Sequence, residues 1–182
     1  MEENITPRYL AARKGVIDRF FNRMNPRQKE ALFAMDGPVL ILAGAGSGKT
    51  TVMVNRIANM IRFGDAHNSN SMPLAVTEQD VSFLEACLKS TVPLPDKAIS
   101  LVRGRTVSPQ NILAITFTNK AANELRDRLA TMLGEESNGI LAATFHSACV
   151  RILRQTIQRL GYGNDFAIYD TDDSVQMMKA AL

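Results

Sequence analysis

Residues 43–50 read Ala43-Gly44-Ala45-Gly46-Ser47-Gly48-Lys49-Thr50, between an apolar run and an amphipathic stretch. No other segment of the chain limits its fold so sharply. The run before it, Pro38-Val39-Leu40-Ile41-Leu42, reads as a strand buried on both faces, the type found in parallel sheets. The stretch after it, Thr51 to Ile61, places Val54, Ile57, Ala58 and Ile61 at helical spacing. Strand, glycine-rich turn and helix in that order make a phosphate cradle. Small residues let successive backbone N–H groups curl around an anion. The helix that follows points the positive end of its dipole at the same charge. Lys49 is expected against the β- and γ-phosphates of a nucleotide, and the Thr50 hydroxyl on Mg²⁺. The strict pattern opens on glycine; Ala43 stands there and fits if its φ is negative. The alternative is a strand–helix turn that binds nothing. Gly48-Lys49-Thr50 with these flanks favours nucleotide.

The rest of the chain supports an α/β class with a mainly parallel sheet. Thr6-Pro7 predicts a helix start, with Leu10, Ile17, Phe20 and Phe21 on one face, and Asn25-Pro26 predicts a second. Residues 63–110 change character. Gly64, the run His67 to Ser71, and Pro73, Pro93, Pro95 and Gly104 break regularity, and only Thr77 to Leu88 reads as a short capped helix. This segment is expected to be an insertion, partly ordered at best. Order returns with a strand over 112–117, a helix over 121–132, a strand over 140–145 and a helix over 146–160. That last helix is expected to turn Cys149, Ile152, Leu153 and Ile157 inward. Phe166 to Tyr169 predicts a short fourth strand, and Thr171-Asp172-Asp173 a final helix.

Composition excludes several classes. The 182 residues are 46% hydrophobic and 21% charged, enough apolar content to offset chain entropy. The longest apolar stretch, Pro38 to Ala45, is too short to span a bilayer. The first residues show no basic, then greasy, secretory leader. The two cysteines, Cys87 and Cys149, lie far apart without ligand-spaced partners, which argues against zinc or a disulfide framework and makes a reducing cytoplasm the default. Net charge is +5 over residues 1–62 and −1 over each of 63–110 and 111–182, weak support for a polyanionic partner.

Four segments occur in a telling order: Asn25-Pro26-Arg27-Gln28, the loop at 43–50, Ile115-Thr116-Phe117-Thr118-Asn119-Lys120-Ala121-Ala122-Asn123-Glu124-Leu125, and Thr144-Phe145-His146-Ser147. Together they resemble the Q motif and motifs I, Ia and Ib of superfamily 1 DNA helicases of the UvrD/Rep/PcrA type. The resemblance covers about residues 24–62 and 111–182. It implies a P-loop NTPase domain of RecA-like fold, preceded by a helical lead over 1–23 and carrying the insertion 63–110. It implies ATP and Mg²⁺ as cofactors and ATP-driven 3′→5′ movement on single-stranded DNA, in repair or replication. The family's acidic Mg²⁺ motif, arginine fingers and second RecA-like domain have no counterpart in residues 1–182. The chain is thus expected to be the front of a helicase whose partner is the missing C-terminal part.

Two departures stand out. Many members carry arginine after the P-loop threonine, against the nucleotide, and Thr51 takes that place. The gap from motif I to motif Ia is also longer than usual.

Each site residue has a plainer alternative. Gln28 resembles the glutamine that reads the adenine edge, yet Asn25, Pro26 and Gln28 also nearly compose a capping box. Phe117 is by default a core aromatic, but at a strand's C-terminal end it can stack on a base. Asn119 and Lys120 at a helix start can meet a phosphate or merely be solvated. Thr144, Phe145 and His146 repeat that arrangement at the next strand end. Arg126, Arg128, Arg151, Arg154 and Arg159 read as a solvated helix surface rather than a DNA track. Asp170 ends an apolar run like a Mg²⁺-binding acid, but the run 170–173 more simply caps the last helix. Two rival functions remain open at this point: a P-loop kinase or nucleotide transferase, and a nucleotide-dependent DNA-binding module without turnover.

Overall fold

The computed structural model describes residues 5–44, 46–169 and 171–181. Eight helices and two strands are described: α1 (Ile5–Phe20), α2 (Pro26–Phe33), α3 (Lys49–Arg62), α4 (Glu78–Lys89), α5 (Asp96–Leu101), β1 (Leu113–Thr116), α6 (Asn119–Leu133), β2 (Leu141–Thr144), α7 (Phe145–Thr156) and α8 (Thr171–Ala181). β1 and β2 pair in parallel, with Leu113 opposite Leu141 and Thr116 opposite Thr144. Helix α6 makes the crossover between them, so the class is α/β as expected.

Helix α3 stands between two cores. Its residues Val54, Ile57, Ala58 and Ile61 join Ile112 just before β1, Ala114 and Ala142 of the sheet, and Leu125, Leu129 and Leu133 of α6. Val52 faces the other way, into a cluster built by α1 (Tyr9, Val16, Ile17), Phe21, Leu32 of α2, Phe63, Val81, Leu84 and Val102. Phe20, Phe21, Phe33 and Phe63 meet edge to face at its centre, with ring centroids 4.9–6.0 Å apart.

The second cluster corrects the reading of residues 63–110. They are ordered, and they share a core with α1 rather than hanging from the sheet. Thr77 and Asp80 complete a reciprocal capping box on α4. Arg8 of α1 reaches both Glu78 and Glu85 of α4. The hydroxyl of buried Tyr9 donates to Leu101 O at 2.9 Å. The buried Arg13 guanidinium donates to the carbonyls of Ser69 and Ser71. A loop rich in serine and asparagine is thus held by side chains distant in sequence.

Other expectations change as well. Pro38–Leu42 has no regular secondary structure and pairs with no strand among the described residues, and Leu40 and Leu42 are 83% and 86% exposed. A strand is buried on both faces only when neighbours and helices cover it, and a two-stranded sheet supplies neither here. β1 likewise buries Ala114 but exposes Leu113 and Ile115, so one face of the sheet is open. Phe166–Tyr169 is irregular rather than a strand. Thr6 lies inside α1 instead of capping it. Ile152 is exposed, because α7 packs through Ala148, with Ile157 beyond its end. Asp170 lies outside the described residues; α8 opens with Asp172 and Asp173 in its first turn.

A melt checks the exposed segment. Leu40→Ser is expected to change stability by less than about 0.5 kcal/mol, as at other surface sites. A loss of several kcal/mol in urea titration would mean that Leu40 is buried.

Candidate nucleotide and nucleic-acid site

The loop at 43–50 turns into α3 through Gly46 (φ +77°) and Gly48 (φ +84°), backbone geometry that a side chain resists. A Cβ at 48 would also lie 3.0 Å from the Gln28 amide nitrogen. Lys49 is the first residue of α3, where backbone N–H groups have no helical partner. Its ammonium donates to Ala43 O (2.9 Å) and Gly44 O (2.6 Å), and the Ser47 hydroxyl donates to Gly44 O (2.7 Å). Thr50 and Thr51 follow, both exposed. Ala45 lies outside the described residues.

Gln28 enters from α2. Its Oε1 accepts from the Asn25 backbone N–H at 3.1 Å, and Asn25 Oδ1 accepts from the Gln28 N–H at 2.9 Å. The capping box is therefore complete. The same side chain also does something the box does not require: Nε2 donates to Ser47 O at 3.4 Å. Asn25, Gln28, Val39, Ala43, Ser47 and Lys49 line one cavity of about 700 Å³. Arg27, paired with Glu30 at 3.3 Å, lines it too; nothing in the sequence distinguished it from a solvated pair.

A second group gathers at the end of the sheet. The register sets Thr116 beside Thr144, so Phe117 and Phe145 leave the same edge on adjacent strands. Phe117 is fully exposed and Phe145 is 60% exposed, so neither is a core residue. Thr118 accepts from Ala121 N to cap α6, and Thr144 accepts from Ser147 N to cap α7. Asn119, Lys120 and His146 occupy exposed positions in these first turns, and the Phe145 and His146 rings meet edge on. Arg126 and Arg128 are engaged on their own helix, with Asn123 and Glu124, as a solvated face would be.

Among the described residues no three His, Cys, Asp or Glu side chains are placed to hold a metal ion. The exposed Thr50 hydroxyl, beside Lys49 on the first turn of α3, is the group that fits Mg²⁺ arriving with phosphates. Cys87 and Cys149 are free thiols. No described helix is long and apolar enough to cross a membrane.

A glycine-rich loop delivering a lysine to the start of a helix, beside a parallel strand pair, defines the class: an α/β protein with a P-loop. The model of the UvrD/REP helicase N-terminal domain matches residues 24–85 and 89–182, and the chain belongs to that family. It is 36% identical over 167 residues to the ATP-dependent DNA helicase PcrA of Bacillus subtilis (strain 168), covering 92% of this chain and 17% of that protein. It is 39% identical over 159 residues to the PcrA helicase of Staphylococcus epidermidis, covering 87% and 16%. The chain thus spans less than a fifth of the length of these relatives.

Proposed function

We propose that residues 1–182 are the ATP-binding front of an ATP-dependent 3′→5′ helicase that acts on single-stranded DNA, in repair or replication, in the cytoplasm. The observation that carries this reading is the convergence of Lys49 and Gln28 on one cavity, within a chain of this family. Residues 24–182 are read as the opening of a first RecA-like domain, with residues 63–110 inserted and α1 packed on the insertion. The apolar strip Val39–Leu42 then becomes a strand once the longer protein supplies its neighbours.

In this site the backbone of Ala43 to Gly48 cradles the phosphates. Lys49 exchanges its carbonyl contacts for the β- and γ-phosphates, and Thr50 holds Mg²⁺. Thr51 sits beside the nucleotide, and Gln28 turns its amide to the adenine edge, a pairing that suits one donor and one acceptor. Phe117 and Phe145 offer neighbouring stacking faces to bases, while Asn119, Lys120, Thr144 and His146 meet the DNA backbone.

DNA binding supplies one test. Phe117→Ala and Phe145→Ala should each weaken binding of an oligo-dT strand by about 1–3 kcal/mol, the usual worth of an aromatic stacking platform. Because both rings are exposed, melting temperatures should hardly move. Unchanged affinity in both variants would remove the stacking role. Binding should also fall as salt rises.

Turnover supplies another. The 182-residue chain alone should bind MgATP yet release phosphate no faster than background, with or without DNA. Phosphoryl transfer also needs a group orienting the attacking water and positive charge on the developing negative charge; an arginine finger alone is worth roughly 10³–10⁵ in rate. Lys49 and Thr50 supply only the cradle. Robust phosphate release, lost in Lys49→Ala and in Asp170→Asn, would instead make this chain a small complete ATPase. Failure to bind MgATP would overturn the reading altogether.

A further inference from the structure

Helix α2, which carries Gln28, is only eight residues long; it packs on α3, and it is also held at mid-helix by α1 and at its C-terminal end by the loop after α3. At mid-helix, Lys29 donates to Asp18 Oδ1 at 2.9 Å and to the Asp18 carbonyl at 3.3 Å. At the far end, the His67 ring lies flat on Phe33, with centroids 3.6 Å apart and planes 5° from parallel. Asn68 Nδ2 donates to Phe33 O at 2.9 Å, satisfying a carbonyl that the end of a helix leaves open. Asp18 joins the two contacts, for its Oδ2 lies 3.5 Å from His67 Nε2. Burial alone would raise the Asp18 carboxyl; the Lys29 hydrogen bond and charge, with His67 adding to them, outweigh it and hold it below the ordinary carboxylate value.

We infer that Asp18, Lys29 and His67 are positioning residues through which α1 and the loop after α3 set where Gln28 meets the nucleotide. The inference rests on the adenine reading of Gln28 and adds to it the residues that aim it. Lys29 is the next residue along α2, so any shift of the helix that breaks the Asp18 contact carries the Gln28 amide with it. That amide now reaches Ser47 of the phosphate loop at 3.4 Å, and a displacement of a few tenths of an ångström takes it out of hydrogen-bond range. Lys49 stands on α3, and its ammonium bonds go to Ala43 O and Gly44 O, not to Asp18, Lys29 or His67. α1 lies before the stretch that the family model matches, whereas His67 and Asn68 lie within it.

Binding of ATP, GTP and inorganic triphosphate to the 182-residue chain tests this, with folding of each variant checked by its melt. Asp18→Asn and Lys29→Met should each lower the ATP-to-GTP affinity ratio about threefold to tenfold, the size of coupling seen within one side-chain network. Affinity for inorganic triphosphate should stay as in the wild type. The double variant should fall no further than either single one, and Lys29→Arg, which keeps the charge, should retain the ratio. Gln28→Ala separates the two levels of the argument. If Gln28→Ala loses the preference for ATP while Asp18→Asn and Lys29→Met keep it, the positioning inference is overturned and the adenine reading stands. If Gln28→Ala itself keeps the preference, the adenine reading fails and the inference goes with it.

Discussion

Lys49→Ala is expected to lower affinity for MgATP about 10- to 100-fold. A hydrogen bond from a charged donor to a phosphate contributes about 1.5–3 kcal/mol, and each 1.4 kcal/mol is a factor of ten. The ammonium now rests on two neutral carbonyls, Ala43 O and Gly44 O, which are weaker partners than a phosphate oxygen. Exchange of one for the other therefore favours the bound state, and alanine removes that gain. The fold should not suffer, because Lys49 is exposed and alanine suits the first turn of a helix. Calorimetric titration of both proteins at equal Mg²⁺ measures the difference, with a melt beside it. Equal affinities would mean that this loop does not hold phosphate, whatever its sequence.

The loop was legible because its chemistry is local. Eight consecutive residues state the small side chains, the cation and the hydroxyl, and the flanking periodicity states the helix. The capping boxes at Asn25–Gln28 and Thr77–Asp80 were legible for the same reason, since each lies within four residues. The apolar run 38–42 misled because hydrophobicity reports what a segment would bury in a complete sheet, and its neighbours are not among the described strands. The insertion misled in the opposite sense. Gly64, the polar run after it and its prolines describe a chain with little local preference. What orders it are contacts across large sequence distances, such as Tyr9 to Leu101 and Arg8 to Glu85, which no window on the sequence contains. Gln28 shows a third case. Both readings of it began from the same four residues, and the structure displays the cap while also turning its free nitrogen to Ser47. Phe117 and Phe145 were open between core and surface; the parallel register and the uncovered sheet edge place both outside the core.

Gly64→Ala is expected to destabilise the chain by about 2–5 kcal/mol, combining a left-handed backbone penalty of about 1–2 with overpacking of about 1–3. Gly64 has φ +61°, and a Cβ there would overlap the Arg105 carbonyl and lie 2.8 Å from the Thr106 nitrogen. Neither is a flexible side chain that can step aside. The position matters because the chain leaves α3 here and returns at 103–107 to close the ends of the insertion on the helix. Every helix ends with carbonyls that lack a helical partner. In α3 these are met by the returning segment: Val107 N donates to Met60 O at 2.8 Å, and Arg103 donates to Ile61 O and Arg62 O at 3.1 Å each. Just beyond the helix, Gly104 N donates to Phe63 O at 2.9 Å. Arg105 N is held in turn by Asp65 Oδ1 at 2.8 Å. Moving Arg105 to make room for a methyl group therefore strains several of these bonds together. Urea titration should show a lower midpoint, and thermal melts a drop of about 2–4 °C per kcal/mol. The other end of α3 carries Lys49, so nucleotide affinity measured well below the melting temperature should fall only modestly. A Gly64→Ala protein as stable as the wild type would mean that residues 103–107 do not close on α3, and that the insertion is the loose excursion its composition describes.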